Sequence, residues 1–429
     1  MIDNRTPVDR AVLVGAPTRN VDERLAEEHM QELARLTDTA GGEVVASLQQ
    51  RIRAPHPRFF IGEGKADELR DLVEESEGDL VIFDDELSPG QGKHLEEHLG
   101  VRIMDRSELI LDIFASRART SEAKMQVELA QLEYLLPRLK RMWSHLSRIR
   151  GGIGLRGPGE TQLETDRRLI GKRISGLKRK LKEVAKARRV QRQSRRGNYR
   201  VALVGYTNAG KSSLLRTLSG SELFVENRLF ATLDSATRSV DLGSGYQALV
   251  TDTVGFIRKL PHHLIASFRS TLEEAGEADV MVHVIDASHP DWEEQKEVVE
   301  EVLEELGLAS APQILAFNKV DRLTHAEEDA MRQRIRSFDS TPALFVSALD
   351  MESLHGLKET LKARIRANLT EVEVSVPSHD GAALATLYRE GEVLRREENG
   401  RMVTITVRLP EASVGRLRRL EVAEVAEAD

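Results

Sequence analysis

One stretch, Val201-Ala-Leu-Val-Gly-Tyr-Thr-Asn-Ala-Gly-Lys-Ser-Ser213, restricts the fold of this chain more than any other feature. Apolar residues typical of a buried strand come directly before the spacing Gly205-x-x-x-x-Gly210-Lys211-Ser212, and a helical pattern follows it. Glycines let the backbone wrap around a polyphosphate, while backbone N–H groups and the helix N-terminus supply positive charge. Lys211 is expected to contact the β- and γ-phosphates, and Ser212 to ligate Mg²⁺. The stretch therefore predicts a phosphate-binding loop rather than a chance glycine-rich turn.

The composition sets the outer limits. At 429 residues the chain is long enough for two to four domains, and its lack of cysteine excludes disulfides and thiolate metal sites. No run approaches the roughly 20 apolar residues that a membrane span needs, and the N-terminus does not resemble a signal peptide. We therefore expect a cytoplasmic location, with peripheral attachment to a membrane as the alternative. The protein is also expected to be a monomer.

The charge is distributed unevenly along the chain. The net charge is −8, yet residues 138–200 contain 21 Lys and Arg against 4 Asp and Glu. The rest of the chain therefore carries −25. A basic segment within an acidic protein indicates one surface that binds a polyanion.

Residues 1–119 are predicted to form an α/β domain. Short apolar runs alternate with helical patterns, which indicates a mostly parallel sheet covered on both faces. Strands are expected at 12–14, 44–46, 80–83 and 101–104, and helices at 22–37, 65–75, 90–98 and 108–117. Gly62-Glu-Gly-Lys65 resembles part of a phosphate loop, but Phe59 occupies the first glycine position, so we expect a helix start there.

Two heptad seams predict an antiparallel helical hairpin over residues 120–197. Apolar residues recur at alternating steps of four and three, which places them on one face of each helix. A short connection joins the seams, so these faces are expected to pack against each other. The seam positions are Met125, Leu129, Leu132, Leu136, Leu139, Trp143 and Leu146, then Ile170, Ile174, Leu177, Leu181 and Val184. Pro137 lies within the first helix and is expected to bend it.

The connection at residues 151–159 is rich in glycine and flanked by arginine. Its glycine spacing matches a dinucleotide-binding fingerprint, but a basic helix rather than a strand precedes it, so cofactor binding is not expected. Glycines permit close approach to a surface, and guanidinium groups bind phosphates. A loop projected on a helical rod favours insertion into structured RNA over a solvated flexible turn. The predicted RNA-binding residues are Arg148, Arg150, Gly151, Gly152, Gly154, Arg156 and Gly157.

Residues 198–369 are predicted to form a nucleotide-binding α/β domain with a magnesium site. Asp252-Thr-Val-Gly255 follows an apolar strand, so Asp252 is expected to hold Mg²⁺ through water and the Gly255 N–H to meet the γ-phosphate. Thr232 lies before the second strand, where its hydroxyl would complete the Mg²⁺ shell only with the γ-phosphate present, and Thr237 is the alternative. Ser212, Thr232 and Asp252 are thus the predicted metal residues.

Asn318-Lys-Val-Asp321 at the end of a strand predicts guanine as the base. The Asp321 carboxylate can accept from N1–H and the exocyclic amine of guanine, whereas adenine offers neither donor there. Asn318 is expected to bridge the phosphate loop and the base, and the Ala348 N–H to meet O6. The predicted GTP-binding residues are Gly205, Tyr206, Thr207, Asn208, Ala209, Gly210, Lys211, Ser212, Phe230, Ala231, Thr232, Leu233, Asp234, Asp252, Thr253, Val254, Gly255, Asn318, Lys319, Val320, Asp321, Val346, Ser347 and Ala348.

The group that orients the attacking water is less well defined. Phe256 follows Gly255, where many GTPases place a glutamine, and an apolar ring cannot orient water. Asn208 has two interpretations of equal weight: a ligand for a monovalent cation, as in GTPases activated by K⁺, or a residue that tolerates a tight turn. The predicted catalytic residues are Thr232, Gly255 and, under the first interpretation, Asn208. Hydrolysis is expected to be slow alone and to be accelerated by a partner.

Residues 370–429 are predicted to form a small α+β domain. Strands are expected at 372–376, 392–396 and 402–409 around a helix at 382–388. No pattern in this part of the sequence indicates chemistry.

Taken together, these motifs closely resemble the HflX family of ribosome-associated GTPases. The matching segments are Gly205-Tyr-Thr-Asn-Ala-Gly-Lys-Ser212, Leu229-Phe-Ala-Thr-Leu-Asp234, Asp252-Thr-Val-Gly-Phe-Ile257, Gly151-Gly-Ile-Gly-Leu-Arg-Gly-Pro-Gly-Glu-Thr-Gln162 and residues 125–138. The glycine-rich tip with its hairpin is the specific part, since the nucleotide motifs alone fit many families.

The resemblance implies a GTPase that binds the large (50S) ribosomal subunit and its 23S rRNA. It also implies that the GTP-bound protein separates stalled or idle 70S ribosomes, and that hydrolysis to GDP resets the switch. Two alternatives remain: a large-subunit assembly or hibernation factor, and a signalling GTPase with a protein effector.

Overall fold

The computed structural model describes residues 8–148, 159–193, 199–221, 228–261, 264, 275–338, 341–417 and 424–427. Within these residues the fold is α/β, with three sheets that follow one another along the chain and a helical hairpin between the first and the second. Among the described helices, none is both long enough and apolar enough to cross a membrane.

The first sheet, here called the N-terminal sheet, is parallel throughout and has the strand order β2-β1-β3-β4. Alternate β1 side chains pack into two separate apolar clusters, with Leu13 on one face and Val12 on the other, because helices cover both faces. The strands are β1 (Arg10–Gly15), β2 (Glu43–Gln49), β3 (Leu80–Phe83) and β4 (Arg102–Asp105). The helices are α1 (Glu23–Ala40), α2 (Glu63–Glu75), α3 (Pro89–Leu99) and α4 (Arg106–Arg117).

Helix α2 begins where the sequence resembles a fragment of a phosphate loop. Gly62 is its N-cap residue, and the Ala66 N–H donates to the Gly62 carbonyl at 2.9 Å. The expectation of a helix start is therefore confirmed.

The hairpin consists of α5 (Ser121–Arg148) and α6 (Gly159–Gln193), which pack along their predicted seams. Leu129, Ile174 and Leu177 form the buried centre of this contact. Ion pairs flank it: Arg173 contacts Glu128 at 2.6 Å, and Lys178 contacts Glu133 at 2.7 Å. Pro137 lies inside α5, as expected. The predicted tip residues 150–157 lie outside the described residues, as does the Arg148 side chain.

The second sheet, the central sheet, has the order β10-β9-β8-β5-β7-β6, and only β6 runs antiparallel to its neighbour. Its strands are β5 (Tyr199–Gly205), β6 (Ala236–Gly243), β7 (Tyr246–Asp252), β8 (Val280–Asp286), β9 (Gln313–Asn318) and β10 (Ala343–Phe345). Its helices are α7 (Lys211–Ser219), α8 (Trp292–Glu305), α9 (His325–Phe338) and α10 (His355–Ala367), with a 3₁₀ turn at Val320–Arg322. Parallel β5, β7, β8 and β9 end on one edge, where ligands of such sheets bind.

The third sheet is antiparallel, with the order β12-β13-β11-β14. Alternate residues of β13 are buried, because helices cover one face. Its elements are β11 (Leu369–Pro377), α11 (Gly381–Glu390), β12 (Glu392–Asn399), β13 (Met402–Pro410), α12 (Glu411–Leu417) and β14 (Glu424–Glu427). The small α+β character is as expected, although the sequence did not indicate α12 or β14.

Candidate functional site

The phosphate loop connects β5 to α7, and its glycines are required by geometry. Gly210 has φ +99°, and a Cβ atom at this position would lie 2.2 Å from Asn318 Nδ2. A Cβ at Gly205 would lie 2.2 Å from the Val284 carbonyl oxygen. Since both distances are far below van der Waals contact, larger side chains would push the loop away from β8 and β9.

Lys211 at the start of α7 is buried and folded back over the loop. Its ammonium group donates to the carbonyl oxygens of Gly205 at 3.0 Å and Tyr206 at 2.8 Å. Burial is the largest influence and lowers the pKa of Lys211 to about 8, while Asp252 opposes the shift and Lys319 adds to it. An anionic ligand in this loop would therefore meet a lysine that gains stabilisation from the ligand's charge.

Three oxygen atoms meet beside Lys211. The Ser212 hydroxyl donates to Asp252 Oδ2 at 2.6 Å and lies 2.6 Å from the Thr232 hydroxyl. Asp252 Oδ1 is buried and has no hydrogen-bond partner within the described part of the chain. Burial raises the pKa of Asp252, and Lys211 and the Ser212 hydroxyl offset part of that rise. Two hydroxyls and one carboxylate suit Mg²⁺, which keeps several waters and shares phosphate oxygens.

The competing threonine is placed elsewhere. The Thr237 hydroxyl pairs with that of Thr251 at 2.9 Å across β6 and β7. The geometry therefore favours Thr232 as the threonine of the metal site, and its role in binding Mg²⁺ stays a prediction.

The guanine motif is held in place by the phosphate loop and by the Ser347 segment. Asn318 donates from Nδ2 to the Ala209 carbonyl at 2.8 Å and accepts from the Ala348 N–H at 2.9 Å. The Ser347 hydroxyl donates to the Asp321 carboxylate at 2.5 Å. Asp321 is therefore fixed at the edge of the cavity, where it can accept from a base.

Lys319 is positioned by a residue that the sequence analysis missed. Its ammonium group contacts Asp286 at the end of β8 at 2.6 Å and the Asn208 carbonyl at 2.8 Å. Asp286 carries no recognisable motif, and only the adjacency of β8 and β9 brings it to the site.

A cavity of about 360 Å³ runs from the metal residues to the guanine motif. The predicted residues that line it are Thr207, Asn208, Gly210, Lys211, Ser212, Phe230, Ala231, Thr232, Thr253, Gly255, Asn318, Lys319, Asp321 and Ala348. Residues that line it without having been predicted are Ser213, Arg216, Arg228, Arg322 and Leu349. Three arginines at one cavity suit a ligand with several negative charges.

Some predicted GTP-binding residues have side chains that pack behind the cavity wall and stabilise the surrounding loops. The side chains of Leu233, Val254 and Val346 are buried in the apolar core. The Tyr206 hydroxyl donates to Glu32 of α1, and Asp234 accepts hydrogen bonds at the start of α5. These side chains therefore hold the loops and do not face the cavity.

The segment after Asp252 is bound tightly to the phosphate loop. The Thr207 N–H donates to the Phe256 carbonyl at 2.6 Å, and the Phe256 N–H donates to the Gly205 carbonyl at 3.1 Å. A Cβ at Gly255 would lie 2.7 Å from Thr207 Cα. Since the Phe256 ring is buried, it cannot orient a water, as the sequence indicates.

Asn208 has left-handed backbone geometry, with φ +60°, at the exposed turn of the phosphate loop. This conformation suits the interpretation as a turn residue. Asn208 also lines the cavity, so the interpretation as a ligand for K⁺ stays open.

The fold and this site define a P-loop GTPase specific for guanine nucleotides. Family models match in order along the chain: GTP-binding GTPase N-terminal over 27–115, GTP-binding GTPase Middle Region over 117–195, and 50S ribosome-binding GTPase over 200–319. Relatives named GTPase HflX include that of Flavobacterium psychrophilum, 45% identical over 375 residues, and that of Escherichia coli, 41% identical over 401 residues. The chain belongs to the GTPase HflX family.

These relatives match over nearly their whole length. The first alignment covers 83% of this chain and 91% of the relative, and the second covers 92% and 93%. Among solved structures, the complex of SsGBP with GDP is 24% identical, covers 83% of this chain and 98% of that chain, and has a TM-score of 0.46.

Proposed function

We propose that this GTPase binds the large (50S) ribosomal subunit and, with GTP bound, separates stalled or idle 70S ribosomes, with hydrolysis resetting the switch. Support comes from the family, including a matching family model that is described as a 50S ribosome-binding GTPase. Shifting the protein almost completely from its free conformation to its ribosome-bound conformation requires about 5.5 kcal/mol of differential binding. Ribosomal contacts would supply most of this free energy.

The observation that carries the proposal is the exposed cationic face of α6. Arg173 and Lys178 are paired with carboxylates of α5, whereas further basic side chains point into solvent along the rod. These exposed residues are Arg167, Arg168, Lys172, Arg179, Lys180, Lys182 and Lys186. A rigid rod with this charge fits the phosphates of folded RNA better than it fits an acidic peptide, because it presents charge over many turns. The predicted RNA contacts at residues 148–157 complete this proposal.

We include Mg²⁺ in the proposal as the cofactor. Ser212 and Thr232 would bind it directly and Asp252 through water, and the ion would neutralise charge on the β- and γ-phosphates. Lys211 and the loop amides would orient the nucleotide, while Asp321 would select guanine. The role of K⁺ at Asn208 is a separate hypothesis, which a comparison of hydrolysis in K⁺ and Na⁺ buffers tests.

The central experiment follows 70S ribosomes on sucrose gradients after incubation with the protein and a non-hydrolysable GTP analogue. We expect free subunits with the analogue and intact ribosomes with GDP. Binding to immature large particles alone would indicate the assembly factor instead. If the protein co-sediments with no ribosomal particle, the result would instead favour a signalling GTPase with a protein effector.

A matched pair of variants tests the contribution of α6. Arg179→Glu with Lys180→Glu reverses two exposed charges on α6, and Arg51→Glu with Arg53→Glu makes the same change on an exposed loop next to the N-terminal sheet. We expect the first pair to weaken ribosome binding about tenfold or more and to flatten its salt dependence, because phosphate contacts are lost. Equal effects of the two pairs would contradict a specific role for α6.

A further inference from the structure

We propose that Asp234 is a positioning residue for binding of Mg²⁺ and GTP: it binds Arg119 and the N-cap residue Thr120 of hairpin helix α5 and thereby places the Thr232 hydroxyl at the metal site. The inference depends on the proposed role of Thr232 in binding Mg²⁺. It does not depend on ribosome binding.

The contact joins the segment after Thr232 to the start of the hairpin. The Asp234 carboxylate accepts from the Arg119 N–H at 3.1 Å, from the Thr120 N–H at 3.3 Å and from the Thr120 hydroxyl. The Thr120 oxygen in turn accepts from the Ala123 N–H at 3.1 Å, so Thr120 caps α5. The carboxylate therefore lies at the positive end of a 28-residue helix.

A second anchor lies on the other side of Thr232. The Phe230 ring is buried and meets Phe114 of α4 edge to face, with centroids 4.7 Å apart. Phe230 also has left-handed backbone geometry, with φ +55°, and its N–H donates to the Thr207 hydroxyl at 2.9 Å. Thr232 is therefore held between Phe230 and Asp234, and both of these residues contact the end of α4 or the start of α5.

This arrangement has different consequences for GTP and GDP. The Thr232 hydroxyl would bind Mg²⁺ only when the γ-phosphate is present. Ordering of the Thr232 segment before nucleotide binding therefore raises the affinity for GTP more than the affinity for GDP. Ordering the segment costs conformational entropy, and the contacts at the start of α5 offset this cost before the nucleotide binds. Because coupling is reciprocal, Mg²⁺·GTP must also stabilise the first turn of α5.

The test is a double-mutant cycle on the full-length protein without ribosomes. Affinities for Mg²⁺ with a non-hydrolysable GTP analogue and for Mg²⁺ with GDP are measured for Asp234→Ala, Thr120→Val and the double variant. We expect Asp234→Ala to lower the preference for the GTP analogue over GDP about tenfold, as for loss of a charge-assisted hydrogen bond. The double variant should lose no more than the larger single loss, and Thr120→Ser should retain the parental preference.

Asp241→Ala is the matched control. Asp241 lies on the following strand and accepts only a local hydrogen bond from the Gly243 N–H among its described contacts, at 2.8 Å. An unchanged preference in Asp234→Ala would overturn the proposal, and so would losses that multiply in the double variant. Asp234→Asn keeps the side-chain shape and carries the same test should the alanine variant fail to fold.

Hydrogen exchange separates positioning from simple support. In the parent we expect the amides of residues 121–124 to exchange more slowly with the GTP analogue than with GDP, and in Asp234→Ala to exchange equally in both states. A supporting role alone would change exchange by the same factor in both nucleotide states, which would contradict the proposal. Since these measurements use free protein, a negative result in the ribosome gradients would leave them standing.

Discussion

Burial and the charge of a bound ligand shift the pKa of Lys211 in opposite directions. Its ammonium group is buried among carbonyl oxygens, and burial lowers its pKa to about 8. A bound polyphosphate favours the charged form and must raise this pKa again. We therefore expect nucleotide binding near pH 8 to be coupled to proton uptake.

We predict that the Lys211 contribution to GDP affinity is constant below about pH 7 and falls as the pH rises through 8, by up to tenfold per unit, because free protein loses the Lys211 proton that the complex needs. Calorimetry at pH 8 in buffers of different ionisation enthalpy measures the uptake directly. The lowered pKa of Lys211 also affects protein stability. Because the pKa of Lys211 is lower in the folded state than in the unfolded state, its contribution to the unfolding free energy increases with pH between about 8 and 10.5.

The control for this prediction is the same titration at pH 6.5, where Lys211 is protonated in both states, so that any proton exchange there belongs to the GDP phosphate. Heat of binding that does not depend on the buffer at pH 8 would show that Lys211 stays charged in the free protein.

Site residues that belong to one short motif could be predicted from the sequence, whereas those contributed by distant parts of the chain could not. Gly205, Gly210, Lys211 and Ser212 lie in one short motif, and the loop has the geometry that this spacing requires. The Glu32 partner of the Tyr206 hydroxyl is 174 positions away, and no local pattern marks it. Residues brought to a site by the packing of two sheets therefore cannot be found from spacing alone.

The hairpin is the element for which sequence periodicity was most informative. Its seam was predictable because steps of four and three residues place side chains on one helix face whatever else surrounds them. Its approach to the nucleotide segment was not, since the contact between Thr120 and Asp234 depends on how α5 leaves the N-terminal sheet.

We predict that Leu177→Ala opens the hairpin, because Leu177 lies at the buried centre of the contact between α5 and α6. Replacing a buried leucine by alanine costs about 2–5 kcal/mol, and the seam contains few other fully buried side chains among its described residues. Proteolysis under native conditions should then cut within residues 120–197 at a clearly higher rate, with nucleotide affinity unchanged.

Leu169→Ala is the matched control on the same helix, since that side chain is 55% exposed. It should leave the cleavage rate close to that of the parent. Equal protection in Leu177→Ala and the parent would show that the hairpin is held by contacts other than this seam.

In the whole molecule, a buried ionic cluster joins the N-terminal sheet to the nucleotide site. Arg106 contacts Glu32 and Asp84, and Arg258, three residues after Gly255, contacts the same two carboxylates. The Tyr206 hydroxyl accepts from the Arg258 N–H at 3.0 Å and donates to Glu32. The phosphate loop and the segment after Asp252 are therefore tied to α1 and α4.

The charges in this cluster determine its response to acid. Burial alone would raise the pKa values of Glu32 and Asp84, but Arg106 and Arg258 hold both below their usual range. Carboxylates with lowered pKa values stabilise the fold above their unfolded pKa near 4, and this contribution is lost as the pH falls towards the folded values. The unfolding free energy should therefore decline below about pH 4.

We predict that Arg106→Met lowers the unfolding free energy by about 3–5 kcal/mol, because it leaves two buried carboxylates with too little positive charge. Urea unfolding measures the loss, and combining Arg106→Met with Glu32→Met should recover much of it, since Asp84 then keeps Arg258 and Lys259. Arg102→Met is the control, because that side chain is half exposed and pairs with Glu108 at the surface. A loss no larger than in Arg102→Met, or none recovered in the double variant, would show that the cluster does not hold the sheet and nucleotide site together.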